Sequence, residues 1–192
     1  MRILTEDEPS ATQMRCKRRL RAIAPFLAKG GVGAEVGVFK GTFAEHLLGS
    51  APSKIYLVDP WYRLGPEWRW AKGERSTLAA FRRILDAFAP EIASGLVEPR
   101  VSFSGEFFAT LPDHHLDWVY IDTSHNYEAT MAELEWCLKK VKPGGRIIGD
   151  DYVADPEARH HGVWRAVQDF AKAGRIRLLL DGEVRQFCAE PV

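Results

Sequence analysis

Ala34-Glu35-Val36-Gly37-Val38-Phe39-Lys40-Gly41 is the stretch from which the fold is read. Val32 to Val38 is a short apolar strand, and the two glycines allow a tight turn and a close backbone approach to a ligand where a Cβ would clash. Thr42 to Leu48 continues as a helix, so free N–H groups point at whatever lies in front of the turn. Two later segments share this grammar. Leu116-Asp117-Trp118-Val119-Tyr120-Ile121-Asp122 and Arg146 to Gly149-Asp150-Asp151 read as strands that end in carboxylates. Trp118 to Ile121 is too apolar for a half-exposed strand and suits a parallel strand covered on both faces.

Working outward, Ser10 caps a helix expected to run to about Lys29, with Leu20, Ile23, Ala24 and Leu27 on one face and Gly30-Gly31 as its stop. Residues 1–9 are expected to fray. Lys54 to Val58 is a second apolar strand ending at Asp59-Pro60, and Leu96 to Phe103 fits a third. Arg75 to Phe88 has helical periodicity through Leu78, Phe81, Ile84, Leu85 and Phe88. Tyr127 to Val141 is a helix closed by Lys142-Pro143-Gly144-Gly145, and Gly162 to Ala173 is another. Ile176 to Leu180, Asp181-Gly182 and Val184 to Ala189 form a hairpin on an Asp-Gly turn signal. Seven strands alternating with helices, closed by an antiparallel hairpin, define a doubly wound, mostly parallel α/β sheet. The expectation is a single domain over 1–192, with 1–29 a helical extension on a core of 30–192. Ligands of such sheets lie beyond the carboxyl ends of the strands, near the switch point. Glu35 to Gly41, Asp59, Ser104-Gly105-Glu106, Asp122 and Asp150-Asp151 all fall there.

Composition narrows the function classes. The 192 residues carry a formal net charge of zero, which gives no electrostatic case for a nucleic acid or membrane partner. Arg15-Cys16-Lys17-Arg18-Arg19 is basic but short and reads as a solvated helix face. Cys16, Cys137 and Cys188 have neither zinc-ligand nor disulfide-framework spacing. Acidic residues stand where a signal peptide needs an apolar run, and no stretch has transmembrane length, so a cytoplasmic location is expected.

Asp59, one strand beyond the glycine turn, is placed to accept both hydroxyls of a ribose, which points to a nucleoside cofactor. The spacing Glu35-x-Gly37-x-x-x-Gly41 departs from the dinucleotide fingerprint G-x-G-x-x-G. At these residues the chain resembles the class I S-adenosylmethionine-dependent methyltransferases, with an acid-x-Gly-x-x-x-Gly turn after strand one and an acid after strand two. Tyr120-Ile121-Asp122-Thr123-Ser124-His125-x-Tyr127, Pro143-Gly144-Gly145 and Asp150-Asp151-Tyr152 are similar, more specifically, to the metal-dependent macrolide sugar O-methyltransferases. The resemblance implies a Rossmann-like methyltransferase fold over about residues 30–190. It implies S-adenosylmethionine with Glu35, Gly37 and Gly41 near its methionine end, Asp59 on the ribose, and Ser104, Gly105 and Glu106 near the adenine, Asp122 also bordering it.

Asp122, Asp150 and Asp151 at neighbouring strand ends would repel one another unless compensated. A hard divalent cation such as Mg2+ on these three is one answer. Helix capping and backbone hydrogen bonds are the other. His125 is a candidate general base, with Asp122 beside it. The aromatic run from Pro60 to Trp70, with Trp61, Trp68 and Trp70, is read either as a lid over the cofactor or a surface for a sugar or aromatic acceptor, or as a surface segment folded over the sheet or an oligomer contact. His160-His161 is read as a solvated loop, with a metal role as the alternative. The expected reaction is O-methylation of a small-molecule hydroxyl (a sugar, polyketide or catechol-like acceptor). Acceptor choice falls to the N-terminal helix, the tryptophan segment and residues 152–162, or to a second chain in a homodimer. A nicotinamide-dependent oxidoreductase and a non-catalytic S-adenosylmethionine-binding protein are the alternatives.

Overall fold

Strand β1 (Val32–Val36) lies at the centre of a seven-stranded sheet whose order is β3-β2-β1-β4-β5-β7-β6. The structure, a computed structural model, describes residues 10–64 and 76–192. The other strands are β2 (Lys54–Asp59), β3 (Val97–Val101), β4 (Leu116–Ile121), β5 (Val141–Gly149), β6 (Ile176–Asp181) and β7 (Phe187–Pro191). Pairs among β1 to β5 are parallel, and β7 is antiparallel to both β5 and β6. The doubly wound sheet with its antiparallel C-terminal hairpin is therefore as expected. The chain reverses its winding between β1 and β4, where Val36 pairs with Ile121.

Alternation along each strand sends side chains to two cores. Tyr56 and Val58 join Val36, Val119 and Ile147 on the face covered by α5 (Ser104–Thr110), α6 (Tyr127–Lys140) and α7 (His161–Lys172). Ile55 and Leu57 join Trp118, Tyr120 and Ile148 on the face covered by α1 (Ala11–Ile23), α2 (Thr42–Leu47) and α3 (Thr77–Ala87). Burial on both faces explains why β4 reads as a continuous apolar run.

Several boundaries differ from expectation for local reasons. Helix α1 has the Ser10 cap but ends at Ile23, because Pro25 forces Ala24–Phe26 into a 3-10 turn. Its buried face is Cys16, Arg19, Ala22 and Ile23, while Ala24 is exposed. Arg19, read as solvated, is thus in the interior. On α3 the buried residues are Thr77, Ala80 and Ile84, and Leu78 and Leu85 face out. Strand β3 stops at Val101, and Ser104-Gly105-Glu106 begins helix α5 rather than a loop. Another short helix, α4 (Ala89–Ala93), has no counterpart in the sequence reading. Lys142 to Gly145 is a bulge within β5, not a segment before it. The last hairpin turns through Gly182–Gln186, with Val184 and Arg185 at positive φ, instead of a two-residue turn.

Two glycines have steric reasons. A Cβ on Gly37 (φ +96°) would stand 2.0 Å from the Asp122 carbonyl oxygen, so this residue lets the turn lie against the end of β4. A Cβ on Gly41 (φ +73°) would meet Ile84 Cδ1 at 2.4 Å, so that glycine serves the docking of α3.

Candidate functional site

A cleft of about 830 Å³ opens where β1, β2, β4 and β5 end, within the roughly 300–1,000 Å³ typical of ligand pockets. It brings together Glu35, Gly37, Asp59, Ser104, Asp122, His125, Asp150 and Asp151. Gly41, Gly105 and Glu106 are not on its wall. The sequence reading did not select Arg19, Ser102, Glu133 or His160, which also line it.

One end of the cleft is built by β1, β2 and the start of α5. Glu35 is 2% exposed, and its Oε2 has no hydrogen-bond partner within the protein. Burial, then repulsion by Asp122 and Asp59, pushes its carboxyl well above the usual range. Asp59 accepts from the Phe39 N–H at 2.8 Å and the Trp61 N–H at 2.7 Å. It therefore ties the glycine turn to the segment after β2. Burial raises the Asp59 pKa, and these amides partly offset the rise. The Ser102 hydroxyl is buried, lines the cleft and also lacks a protein partner. Glu106 reaches back to the Phe103 N–H as a helix cap and pairs with Arg63 at 2.8 Å. That pairing holds its carboxyl down at about 2.

Trp61 is fully buried, with its ring 4.9 Å from that of Phe81 and its Nε1 donating to the Phe39 carbonyl at 2.8 Å. It packs beneath the cleft and does not line it. Trp68 and Trp70 lie outside the described residues.

At the other end stand the carboxylates, and each of their oxygens faces a nitrogen of the protein. Asp122 Oδ2 accepts from Arg19 Nη1 at 3.2 Å, and Asp122 Oδ1 lies 2.9 Å from His125 Nε2. Asp150 Oδ2 lies against Arg19 Nη2 as an ion pair without a hydrogen bond, and Asp150 Oδ1 accepts from the Gln186 amide. Gln186 accepts in turn from the buried Tyr120 hydroxyl at 2.7 Å. Asp151 Oδ1 is 2.6 Å from Arg185 Nη2, while Oδ2 is 3.6 Å from both His125 Nε2 and His160 Nε2. The two imidazole rings sit edge to face, 4.7 Å apart. Burial lowers the His160 pKa, which favours the neutral ring. His125, Asp151 and His160 form one group of metal-type donors among the described residues, with ligand atoms within 4.8 Å of one another. Nothing in the spacing of the three residues announces this; it arises because the loop after β5 returns His160 to the end of β4.

A sheet with this strand order, an acid buried near the end of β1 and a second at the end of β2 defines a nucleoside-cofactor enzyme of the methyltransferase type. Residues 34–152 match the family model described as a methyltransferase domain, and the chain belongs to that family. It is an S-adenosylmethionine-dependent methyltransferase. No curated protein sequence matches the chain. Among solved structures, a SAM-dependent methyltransferase from Aquifex aeolicus is similar at 21% identity and a TM-score of 0.61, covering 97% of this chain and 95% of that one. A Streptococcus mutans protein described as a methyltransferase, solved in complex with SAH, is similar at 11% identity and a TM-score of 0.58, covering 96% and 99%. Precorrin 8W decarboxylase from Methanobacterium thermoautotrophicum is similar at 19% identity and 0.59, covering 96% and 92%. Likeness at these identities concerns the fold. No helix among the described residues is long and apolar enough to cross a membrane.

Proposed function

We propose that the enzyme methylates a hydroxyl oxygen of a small molecule, with His125 as the general base and Asp122 as the residue that orients it. The observation that carries this reading is the 2.9 Å contact of His125 Nε2 with Asp122 Oδ1 on the wall of the cofactor cleft. Asp122 and Asp151 both face Nε2, which assigns the ring proton to that atom and leaves Nδ1 with the lone pair. S-adenosylmethionine, when bound, supplies an electrophilic methyl group on a sulfonium. The unpartnered Glu35 Oε2 and Ser102 hydroxyl support its placement, since both offer polar atoms that a ligand must satisfy. In this reading Glu35 and Gly37 hold the methionine end, Asp59 the ribose, and Ser102 and Ser104 the adenine. Gly41, Gly105 and Glu106 act through the backbone and the Arg63 pair. The protein's contribution is orientation, exclusion of water and removal of the hydroxyl proton. A net charge of zero supports a small acceptor over a nucleic acid.

His125→Ala should lower kcat by about 10²–10⁴-fold, as for loss of a general base, with S-adenosylmethionine affinity unchanged. A turnover number within a few-fold of the parent would remove His125 from this role. A second reading is favoured by the His125, Asp151 and His160 cluster. Two imidazoles and a carboxylate suit a borderline divalent ion such as Zn2+ better than Mg2+. An ion there would occupy a lone pair of His125, so the two readings predict opposite responses to a strong chelator. Activity that survives chelation supports the base; activity lost and restored by added Zn2+ supports the ion. Magnesium on Asp122, Asp150 and Asp151 enters neither reading, because the Arg19 guanidinium already lies against both Asp122 and Asp150.

A further inference from the structure

We propose that Arg19 is the resident cation of the acidic strand ends, and that its guanidinium stands where a divalent ion would otherwise sit between Asp122 and Asp150. The inference rests on the reading of the β4 and β5 ends as the acceptor end of the cleft. It does not depend on hydroxyl chemistry or on the role of His125.

Arg19 projects from α1 and is 7% exposed, rare for an arginine unless paired. Nη1 meets Asp122 and Nη2 meets Asp150, so one planar fork spans the carboxylates of two neighbouring strands. The guanidinium carbon also lies 5.9 Å from the centre of the Phe43 ring. Asp150 itself is 2% exposed. A carboxylate this far from water, with the partly exposed Asp122 carboxylate beside it, needs a positive charge or a proton. A guanidinium meets the need at every pH the fold tolerates, because it does not release its proton. The second oxygen of Asp150 is held by Gln186, itself fixed by the Tyr120 hydroxyl, so the carboxylate cannot turn away to serve another ligand.

Arg19 lies outside residues 34–152, the part of the chain that matches the methyltransferase family. The cation is thus supplied by the N-terminal helix, one turn from Arg15 and beside Cys16, which line the same cleft. Charge compensation and wall construction are therefore one act: docking α1 completes the acceptor end. Arg19 is a positioning residue, acting through Asp122 and Asp150.

The test reads Mn2+ binding by electron paramagnetic resonance, with no acceptor and no turnover. His160→Ala is the parent, so that the His125, Asp151 and His160 cluster cannot take the ion. The expected result is no Mn2+ bound to the parent through Asp150, one Mn2+ per chain on adding Arg19→Met, bound at least tenfold tighter than any residual ion on the parent, and loss of that site on further adding Asp150→Asn. Mn2+ bound by the parent and released by Asp150→Asn would overturn the proposal. So would an Arg19→Met variant, folded by circular dichroism, that gains no ion. Should Arg19→Met not fold, the comparison of His160→Ala with and without Asp150→Asn still decides: binding that depends on Asp150 means an ion, not Arg19, belongs there. Failure of the methyl-transfer reading would show in turnover assays and leave this measurement untouched.

Discussion

Glu35 is placed at a cost to the empty fold. A carboxyl buried at the end of β1 with one oxygen unpartnered is pushed toward its protonated form by desolvation. Its contribution to stability is full below the pKa of the unfolded chain. It declines as pH rises from that value toward the raised folded one, because over that window the native state binds more protons. A ligand ammonium beside Glu35 would favour the ionised form, so S-adenosylmethionine affinity should climb with pH through the same window. Glu35→Gln is expected to raise the melting temperature of the ligand-free protein at neutral pH. The same change should weaken S-adenosylmethionine by about 1.5–3 kcal/mol, as for a lost hydrogen bond to a charged group, and flatten the pH dependence. Parallel calorimetry and thermal melts across pH decide it; unchanged affinity would place the cofactor's charged end elsewhere. Asp59 differs in that both its oxygens already hold backbone amides. Asp59→Ala should therefore lower fold stability as well as cofactor affinity, by roughly 1–3 kcal/mol for the buried amides left behind.

At the scale of elements, β2 and β4 are legible in the sequence because burial on two faces writes itself as apolar runs, whereas only the end of β5 is, since Lys142 to Gly145 reads as a stop. Glu35, Asp59 and Asp122 are legible as strand-end acids for the same reason. Arg19 is not. The periodicity of α1 is set by what it packs on, and a buried arginine carries the same letter as a solvated one until its acidic partners are brought from more than a hundred residues away. Helix α5 is missed because its cap is one-sided: Phe103 has no capping oxygen, and Glu106 reaches back to the Phe103 N–H. Trp61 resolves its own ambiguity by geometry. Its indole is a strut under the glycine turn, and Trp61→Phe should remove the donor to the Phe39 carbonyl at a cost of roughly 1–3 kcal/mol in chemical denaturation. A loss confined to acceptor KM, with stability intact, would instead mark Trp61 as part of a lid. The capping box at Ser10 makes α1 a separable variable. Ser10→Ala should cost about 1 kcal/mol, a loss readable by denaturation.

Taken as a whole, the molecule puts the sheet behind the cleft and the N-terminal helix in front. Thr12, Arg15, Cys16 and Arg19 of α1 share the wall with Glu35, Asp59 and Asp122, so ligand binding and docking of α1 are linked equilibria. A ligand that fills the cleft stabilises the docked state by RT ln(1 + [L]/Kd), about 2.7 kcal/mol at a hundred times Kd. Cys16 reports on that equilibrium. It is 3% exposed, and burial raises its thiol pKa, so little thiolate is available while α1 is docked. Cys137 and Cys188 are also buried but, unlike Cys16, do not line the cleft. Labelling by a thiol reagent should therefore proceed first at Cys16, at a rate set by opening of α1. S-adenosylhomocysteine should slow that rate by up to about a hundredfold at a hundred times Kd, the factor that corresponds to the same linkage. Ser10→Ala should speed labelling by weakening the helix. Mass spectrometry of the labelled peptide separates Cys16 from the other two thiols. If Cys16 labels equally fast with and without S-adenosylhomocysteine, α1 does not close on the cofactor, and the wall it forms serves the acceptor alone.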